Sequence, residues 1–188
     1  LKSFSKINNF SNVNVQNIDL LNSDSVEKMI DEVRPDLLFN LSGPSSVYES
    51  LKDPNIKKEI LQIFNNLVNA GIKNNYFFKF FQASSSEMFN QHINEKLNEN
   101  SSFDPISPYA QGKLMVHKKI ETIKKEYGWL ISSGIMFNHE SEFRNTNYLF
   151  MKIIKSAIEN LNLENIHEIC LLNTGLNKDD VQKITSLN

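Results

Sequence analysis

The stretch YFFKFFQASSSE, residues 76–87, decides the fold class of this chain. Its first seven residues, Tyr76 to Gln82, are rich in aromatic side chains, which favour β-strands. A single alanine follows, then three serines and a glutamate, so the strand is predicted to present polar side chains at its carboxyl end. A strand does not itself require such a cluster. The alternative interpretation is a solvated loop with a helix cap.

Strand and helix signals alternate on both sides of this stretch. The predicted strands are Asn12–Ile18, Asp36–Leu41, Tyr76–Gln82, Trp129–Phe137 and Glu168–Leu172. The predicted helices are Ser23–Val33, Pro44–Ala70 with a break near Pro54, Ser107–Tyr127 and Asn147–Asn160. Ser107 and Pro108 suit an N-cap and a first helical position, and Ser23 is a second candidate N-cap. Gly71 and Gly128 are placed as C-terminal stops.

This alternation predicts an α/β fold, a Rossmann-like, doubly wound parallel sheet with helices on both faces. In such sheets, ligands bind beyond the carboxyl ends of the strands. The segments that follow Leu41, Gln82 and Phe137 are therefore the predicted places for a site.

Composition excludes several classes of protein. Hydrophobic residues make up 40% and charged residues 22% of the 188 residues, as in globular rather than disordered chains. The net charge of −2 gives no electrostatic case for nucleic acid or an acidic membrane as a partner. One cysteine, Cys170, excludes a disulfide framework and a cysteine-built zinc site, and the four histidines have no metal-ligand spacing, so no metal is expected. A reducing, cytoplasmic location is expected, because no membrane-length apolar run or signal peptide is visible.

The helix that begins at Ser107 carries the second candidate cluster. Tyr109 and Lys113 are four residues apart and so share one helix face. Free tyrosine titrates near 10 and is a poor base at neutral pH, but a lysine one turn along stabilises the phenolate. A serine from the neighbouring strand end would hydrogen-bond both the phenol and a substrate oxygen. The spacing Tyr-x-x-x-Lys is weak alone and gains weight from the serine-rich strand end.

Together these residues resemble the extended short-chain dehydrogenase/reductases, which act on nucleotide sugars, and within them the GDP-mannose 4,6-dehydratases. The resembling segments are Asp19-Leu20, Val33–Asp36, Phe39–Leu41, Gln82–Phe89, Ser107–Ala110 with Lys113, and Gly134–Ser141. The run Asn138-His139-Glu140-Ser141 is the most specific of them. Ser86 precedes Glu87 where an Asp-Glu pair would suggest a dTDP-glucose dehydratase.

The resemblance implies a reaction and a role for each residue. The C4 hydroxyl of GDP-mannose is oxidised with NADP, water is eliminated across C5 and C6, and the hydride returns to C6 to give GDP-4-keto-6-deoxymannose. Tyr109 would be the base for the C4 hydroxyl, Lys113 its electrostatic partner and a ribose ligand, and Ser85 the hydroxyl that orients the sugar. Glu87 would remove the C5 proton as a general base.

The resemblance also implies binding residues. Implied cofactor contacts are Asp19, Leu20, Tyr109, Lys113, His139 and Arg144. Implied substrate contacts are Ser86, Glu87, Asn138 and Lys152. Several of these keep a structural alternative: Asp19 as the cap of the next turn, His139 as a structural hydrogen-bonding group, Arg144 as a surface loop charge, and Lys152 as a solvated residue.

The chain also departs from the family pattern. It lacks the first strand, glycine-rich turn and helix, which hold the cofactor pyrophosphate, and most of the substrate domain. The expected division is residues 1–160 as a partial NADP-binding domain with the catalytic residues and 161–188 as a remnant of the substrate domain. A nucleotide-sugar epimerase and a non-catalytic Rossmann-like module remain as alternatives. A homo-oligomer is possible for any of the three.

Overall fold

A computed structural model describes residues 13–89, 96–139 and 148–159. Its elements are α1 (Ser23–Val33), β1 (Leu37–Asn40), α2 (Val47–Lys52), α3 (Ile56–Lys73), β2 (Lys79–Ala83), a 3-10 helix (Ser86–Met88), α4 (Pro108–Tyr127), β3 (Ile131–Gly134) and α5 (Leu149–Glu159). Two compact units are present. The sheet unit, Asn12–Asn138, holds every element except α5, and the second unit combines Leu1–Ser11 with His139–Asn188. The predicted domain boundary at residue 160 and the predicted strand Glu168–Leu172 lie outside the described residues.

The sheet confirms the predicted parallel α/β architecture. Its strand order is β1-β2-β3, and both pairs run parallel. Gln82 of β2 lies opposite Asn40 of β1 and Ser133 of β3. The three carboxyl ends therefore meet at one edge of the sheet, as the sequence predicts.

The core lies on one face of this sheet, which is called here the covered face. Phe80 and Ile131 point into it and are buried against α1, α3 and α4. Phe80 stacks on Phe64 of α3 with their ring centroids 5.9 Å apart. Side chains alternate along a strand, so the neighbouring positions form the opposite face. There Phe39 is 60% exposed and Ser132 is also exposed, and this is called here the open face.

The ends of α4 follow the sequence prediction. The Ser107 hydroxyl accepts a hydrogen bond from the Ala110 backbone N–H at 3.1 Å, and Pro108 occupies the first helical position. Gly128 ends the helix in the left-handed region at φ 62°. The break near Pro54 and the helix predicted at residues 147–160 are also confirmed, as the gap between α2 and α3 and as α5.

Three local predictions are wrong. Residues 13–18 form no strand, because each of the three strands takes its hydrogen-bond partner from within the β1-β2-β3 sheet. Asn22 rather than Ser23 caps α1, through a 3.0 Å bond from the Ser25 N–H to its side-chain oxygen. Gly71 does not stop α3, which continues to Lys73. Its missing side chain instead leaves room for the Trp129 ring.

Within the described residues, no helix combines the length and the apolar character needed to cross a membrane.

Candidate active site

The serine-rich segment after β2 is held firmly against β3. The Ser84 N–H donates to the Gly134 carbonyl at 2.8 Å, and the Ser86 N–H donates to the Met136 carbonyl at 2.9 Å. Ser84 and Ser85 are buried. The Ser85 hydroxyl accepts from the Glu87 N–H at 3.2 Å and so caps the 3-10 helix. The alternative prediction of a helix cap is therefore confirmed for Ser85, whereas burial of both serines contradicts a fully solvated loop.

The start of α4 brings the predicted tyrosine and lysine to this segment. Tyr109 and Lys113 are 8% and 7% exposed. The Lys113 ammonium donates to the Ala83 carbonyl, 3.0 Å from Nζ to oxygen, immediately before the serines. The same nitrogen lies 5.6 Å from the centroid of the Tyr109 ring. The two predicted clusters, 20 or more residues apart in sequence, thus form one group at the carboxyl edge of the sheet.

Burial also shapes the electrostatics of this group. Desolvation lowers the pKa of Lys113 below its usual value of 10.5, because a buried ammonium loses its hydration. A cation next to a phenol favours the phenolate form of that phenol. The arrangement can therefore supply a tyrosine base with a neighbouring positive charge, next to a serine hydroxyl and a carboxylate.

A chain of buried amides supports the lysine, and sequence reasoning missed it. The Asn40 side chain donates to the Gln82 side-chain oxygen at 2.8 Å, and the Gln82 amide nitrogen donates to the Ala83 carbonyl at 2.9 Å. The Ser42 hydroxyl and N–H both donate to the Asn40 side-chain oxygen. The available signal was a polar residue closing each of two otherwise apolar strands. Recognising its meaning requires the register that pairs Asn40 with Gln82.

A cleft of about 360 Å³ lies one helical turn beyond the lysine. Its lining residues are Phe89, Leu97, Asn98, Glu99, His117, Ser133, Ile135 and Phe137. His117 Nδ1 and the Ser133 hydroxyl are hydrogen-bonded at 2.9 Å across it. Burial lowers the pKa of His117 below 6.5, although Glu121 acts in the opposite direction. None of the four predicted catalytic residues lines this cleft, so it is a neighbouring feature and not the candidate active site.

The predicted binding residues in the sheet unit lie apart from the buried cluster. Asp19 is exposed and caps a turn, since its carboxylate accepts from the Leu21 N–H at 2.9 Å. Leu20 packs against the core, and its carbonyl accepts from the Asn66 side chain at 2.8 Å. Asn138 is exposed. The structural alternative for Asp19 is thus confirmed, and a cofactor contact remains a prediction.

The remaining predicted residues lie in the second unit or outside the described residues. His139 and Lys152 belong to the second unit, where both are exposed. Lys152 is on α5, and its N–H donates to the Tyr148 carbonyl at 3.0 Å. Arg144 lies outside the described residues. In the described parts of the chain, no group of three or more His, Cys, Asp or Glu side chains could hold a metal ion.

Solved structures share this fold. RMD from Pseudomonas aeruginosa, complexed with NADPH, superposes with a TM-score of 0.71 at 23% identity, over 80% of this chain and 52% of that one. A double mutant of DesIV, a dTDP-glucose 4,6-dehydratase from Streptomyces venezuelae with NAD and DAU bound, gives a TM-score of 0.76 at 12% identity. That match covers 85% of this chain and 49% of DesIV. At these identities the likeness establishes the fold.

Sequence comparison is more specific. The GDP-mannose 4,6 dehydratase family model matches residues 1–179. GDP-mannose 4,6 dehydratase 1 of Arabidopsis thaliana is 32% identical over 143 residues, or 73% of this chain. The chain spans only 39% of the length of that relative. Since the match covers nearly the whole chain and includes the buried Ser-Glu and Tyr-Lys cluster, the chain belongs to the GDP-mannose 4,6-dehydratase family.

Proposed function

We propose that this chain carries the reaction centre of a nucleotide-sugar 4,6-dehydratase that acts on GDP-mannose with NADP. The observation that carries the proposal is the contact between the Lys113 ammonium and the Ala83 carbonyl. That contact joins the Tyr-Lys face of α4 to the segment holding Ser85 and Glu87. Membership of the family supports the same substrate and reaction.

The chain fits one end of a nicotinamide cofactor. An ammonium has three donors, and the Ala83 carbonyl uses one of them, so Lys113 retains donors for ribose hydroxyls at the carboxyl edge of the sheet. The six glycines form no glycine-rich turn, so the chain offers no such cradle for the pyrophosphate. The residues proposed to contact the cofactor are Tyr109, Lys113, Asp19, Leu20, His139 and Arg144. When bound, the cofactor supplies a reversible hydride acceptor.

Each catalytic side chain has one proton or one orientation to control. Tyr109 takes the proton of the C4 hydroxyl, and Lys113 stabilises the resulting phenolate. The Ser85 hydroxyl orients the C4 oxygen. Once C4 is a ketone, the C5 proton is acidic. Glu87 removes it while hydroxide leaves C6 and takes up a proton to become water.

The reach of the substrate to the same edge rests on a second proposed set. Ser86 and Glu87 follow β2, and Asn138 follows β3, so all three are near the carboxyl ends of adjacent strands. Lys152 is the proposed contact from the second unit. A lysine suits a phosphate as a point charge.

The decisive assay follows the loss of water from GDP-mannose by mass spectrometry. It is run on the 188-residue chain and on a hybrid in which the chain replaces the matching segment of the Arabidopsis relative. Glu87→Gln is expected to lower dehydration by about 10²–10⁴-fold, because it removes the general base while preserving the shape of the side chain. Glu126→Gln, an exposed carboxylate near the end of α4, is the matched control and should retain activity.

Full dehydration by Glu87→Gln in the hybrid would contradict the proposed role of the carboxylate. A product that retains its water and has an inverted C4 hydroxyl would favour the epimerase alternative. No turnover by the hybrid, in the presence of normal nucleotide-sugar binding, would favour the non-catalytic module.

A further inference from the structure

The buried amides on the covered face have no role in the reaction steps proposed above. Gln82 is 2% exposed and Asn40 is 5% exposed. A buried amide is costly unless its donors and acceptor are satisfied, and an apolar side chain would fill such a position without that cost. Their place next to the lysine therefore calls for a physical explanation.

The direction of each hydrogen bond in this chain is fixed by its end. A carbonyl oxygen can only accept, so the Gln82 side chain must turn its NH₂ group towards Ala83. Its oxygen then faces Asn40, which must donate. The Asn40 oxygen is left to accept from Ser42, in the loop that follows β1. The orientation of both amides is thus set by the network itself.

Two donors share the Ala83 carbonyl. The Gln82 amide nitrogen and the Lys113 ammonium approach the same oxygen at 2.9 Å and 3.0 Å. A carbonyl oxygen has two lone pairs, so the amide occupies one and leaves one direction for the ammonium. Without the amide, the ammonium would have both directions available and a less defined position.

Resting on the proposed role of Lys113 in the reaction, we propose that Gln82 and Asn40 are positioning residues for the Lys113 ammonium. Gln82 restricts the ammonium to one lone pair of the Ala83 carbonyl. Asn40 holds the Gln82 amide in the orientation that does this. The hydrogen-bonded chain therefore links Ser42, after β1, to the lysine on α4.

The test measures Lys113 directly and needs neither substrate nor cofactor. Competitive acetylation across a pH series, read by mass spectrometry, gives the reactivity and the pKa of each lysine in the 188-residue chain. Gln82→Met keeps the length of the side chain and removes both hydrogen bonds. It is expected to raise the reactivity of Lys113 about five-fold relative to exposed lysines, since it removes about one neutral hydrogen bond.

Gln82→Glu tests the same contact through charge. A carboxylate that shares the Ala83 oxygen with the ammonium is expected to raise the pKa of Lys113 by about one to three units. Asn40→Leu removes the donor that orients Gln82 without touching Lys113. It is expected to change Lys113 in the direction of Gln82→Met and by less.

The chain supplies a matched control in a second buried asparagine. Asn66 is 4% exposed, donates to the Leu20 carbonyl and accepts from Gln62, with no link to Lys113. Asn66→Leu should lower stability and leave the Lys113 profile unchanged. Circular dichroism checks that each variant is folded.

An unchanged Lys113 profile in folded Gln82→Met and Asn40→Leu would overturn the proposal. If both variants unfold, Gln82→Glu decides the question, because it keeps a polar group in place and an unshifted Lys113 pKa would also overturn it. A chain that does not dehydrate GDP-mannose would still give these profiles, so failure of the proposed function is recognised separately.

Discussion

The two faces of the β1-β2-β3 sheet differ in how strongly the protein depends on them. On the covered face, Phe80 is 2% exposed and stacks on Phe64 of α3. On the open face, Phe39 is 60% exposed, and its ring neighbour is Phe81 at 5.6 Å. The same residue type, in adjacent strands of one sheet, therefore has very different surroundings. Stability is concentrated on the covered face, which is also where the buried polar residues of the site occur.

The covered face itself changes character along the strands. Leu38, Phe80 and Ile131 are apolar, and two positions further along each strand lie Asn40, Gln82 and Ser133. Apolar packing thus gives way to hydrogen-bonded side chains at the carboxyl edge. The site is built where the core ends, so its polar groups are held by a rigid scaffold.

The largest expected effect tests the comparison between the faces with one residue type. Phe80→Ala is expected to lower the free energy of unfolding by about 3–5 kcal/mol, because it leaves a cavity against α3. Phe39→Ala should change it by about 0.5 kcal/mol, as at exposed positions. Urea unfolding followed by circular dichroism measures both. Equal losses would show that the open face is covered in solution.

A pair of glycines gives the next largest effect. A methyl group at Gly71 would overlap the Trp129 ring and lie 3.0 Å from the Tyr76 carbonyl, which is backbone and cannot move aside cheaply. Gly71→Ala is therefore expected to cost about 1–3 kcal/mol by overpacking. A methyl group at Gly134 would meet only the ring end of Phe81, on the open face, where the ring can rotate outward.

Gly134→Ala should accordingly cost less than Gly71→Ala. The thermal unfolding midpoints of the two variants make the comparison. A greater loss for Gly134→Ala would mean that the Phe81 ring is confined, contrary to an open face.

These residues also show which features can be predicted from sequence. The N-cap at Ser107, the stop at Gly128 and the strand Lys79–Ala83 depend on local chemistry, and they were predicted closely. The convergence of Ser85 and Glu87 with Tyr109 and Lys113 follows from the rule that the carboxyl ends of parallel strands meet. The family resemblance added their expected roles.

The features that were missed depend on distant neighbours. Residues 13–18 alternate as a strand would, but pairing requires an adjacent strand that the pattern cannot supply. Gly71 has the composition of a helix stop, whereas its packing partner, Trp129, is far along the chain. Asn40 and Gln82 acquire a function only through the register that places them opposite each other.

The smallest expected effect concerns the buried charge at the polar end of the covered face. Lys113 has a lowered pKa because of burial, so the folded state binds its proton less tightly than the unfolded state. Stability therefore increases with pH between the folded pKa and 10.5, and at lower pH the full penalty applies. Lys113→Met removes the charge, and the Gln82 amide still satisfies the Ala83 carbonyl.

This variant is expected to raise the free energy of unfolding at about pH 7 by about 1 kcal/mol, the low end of what apolar replacement of buried ions achieves. Its advantage over the wild type should shrink as the pH approaches 10.5, because the wild-type lysine then becomes neutral in both states. Urea titrations at a series of pH values measure the difference. A loss of stability that is independent of pH would show that the ammonium–carbonyl contact outweighs desolvation, in which case Lys113 stabilises the sheet edge as well as serving the proposed reaction.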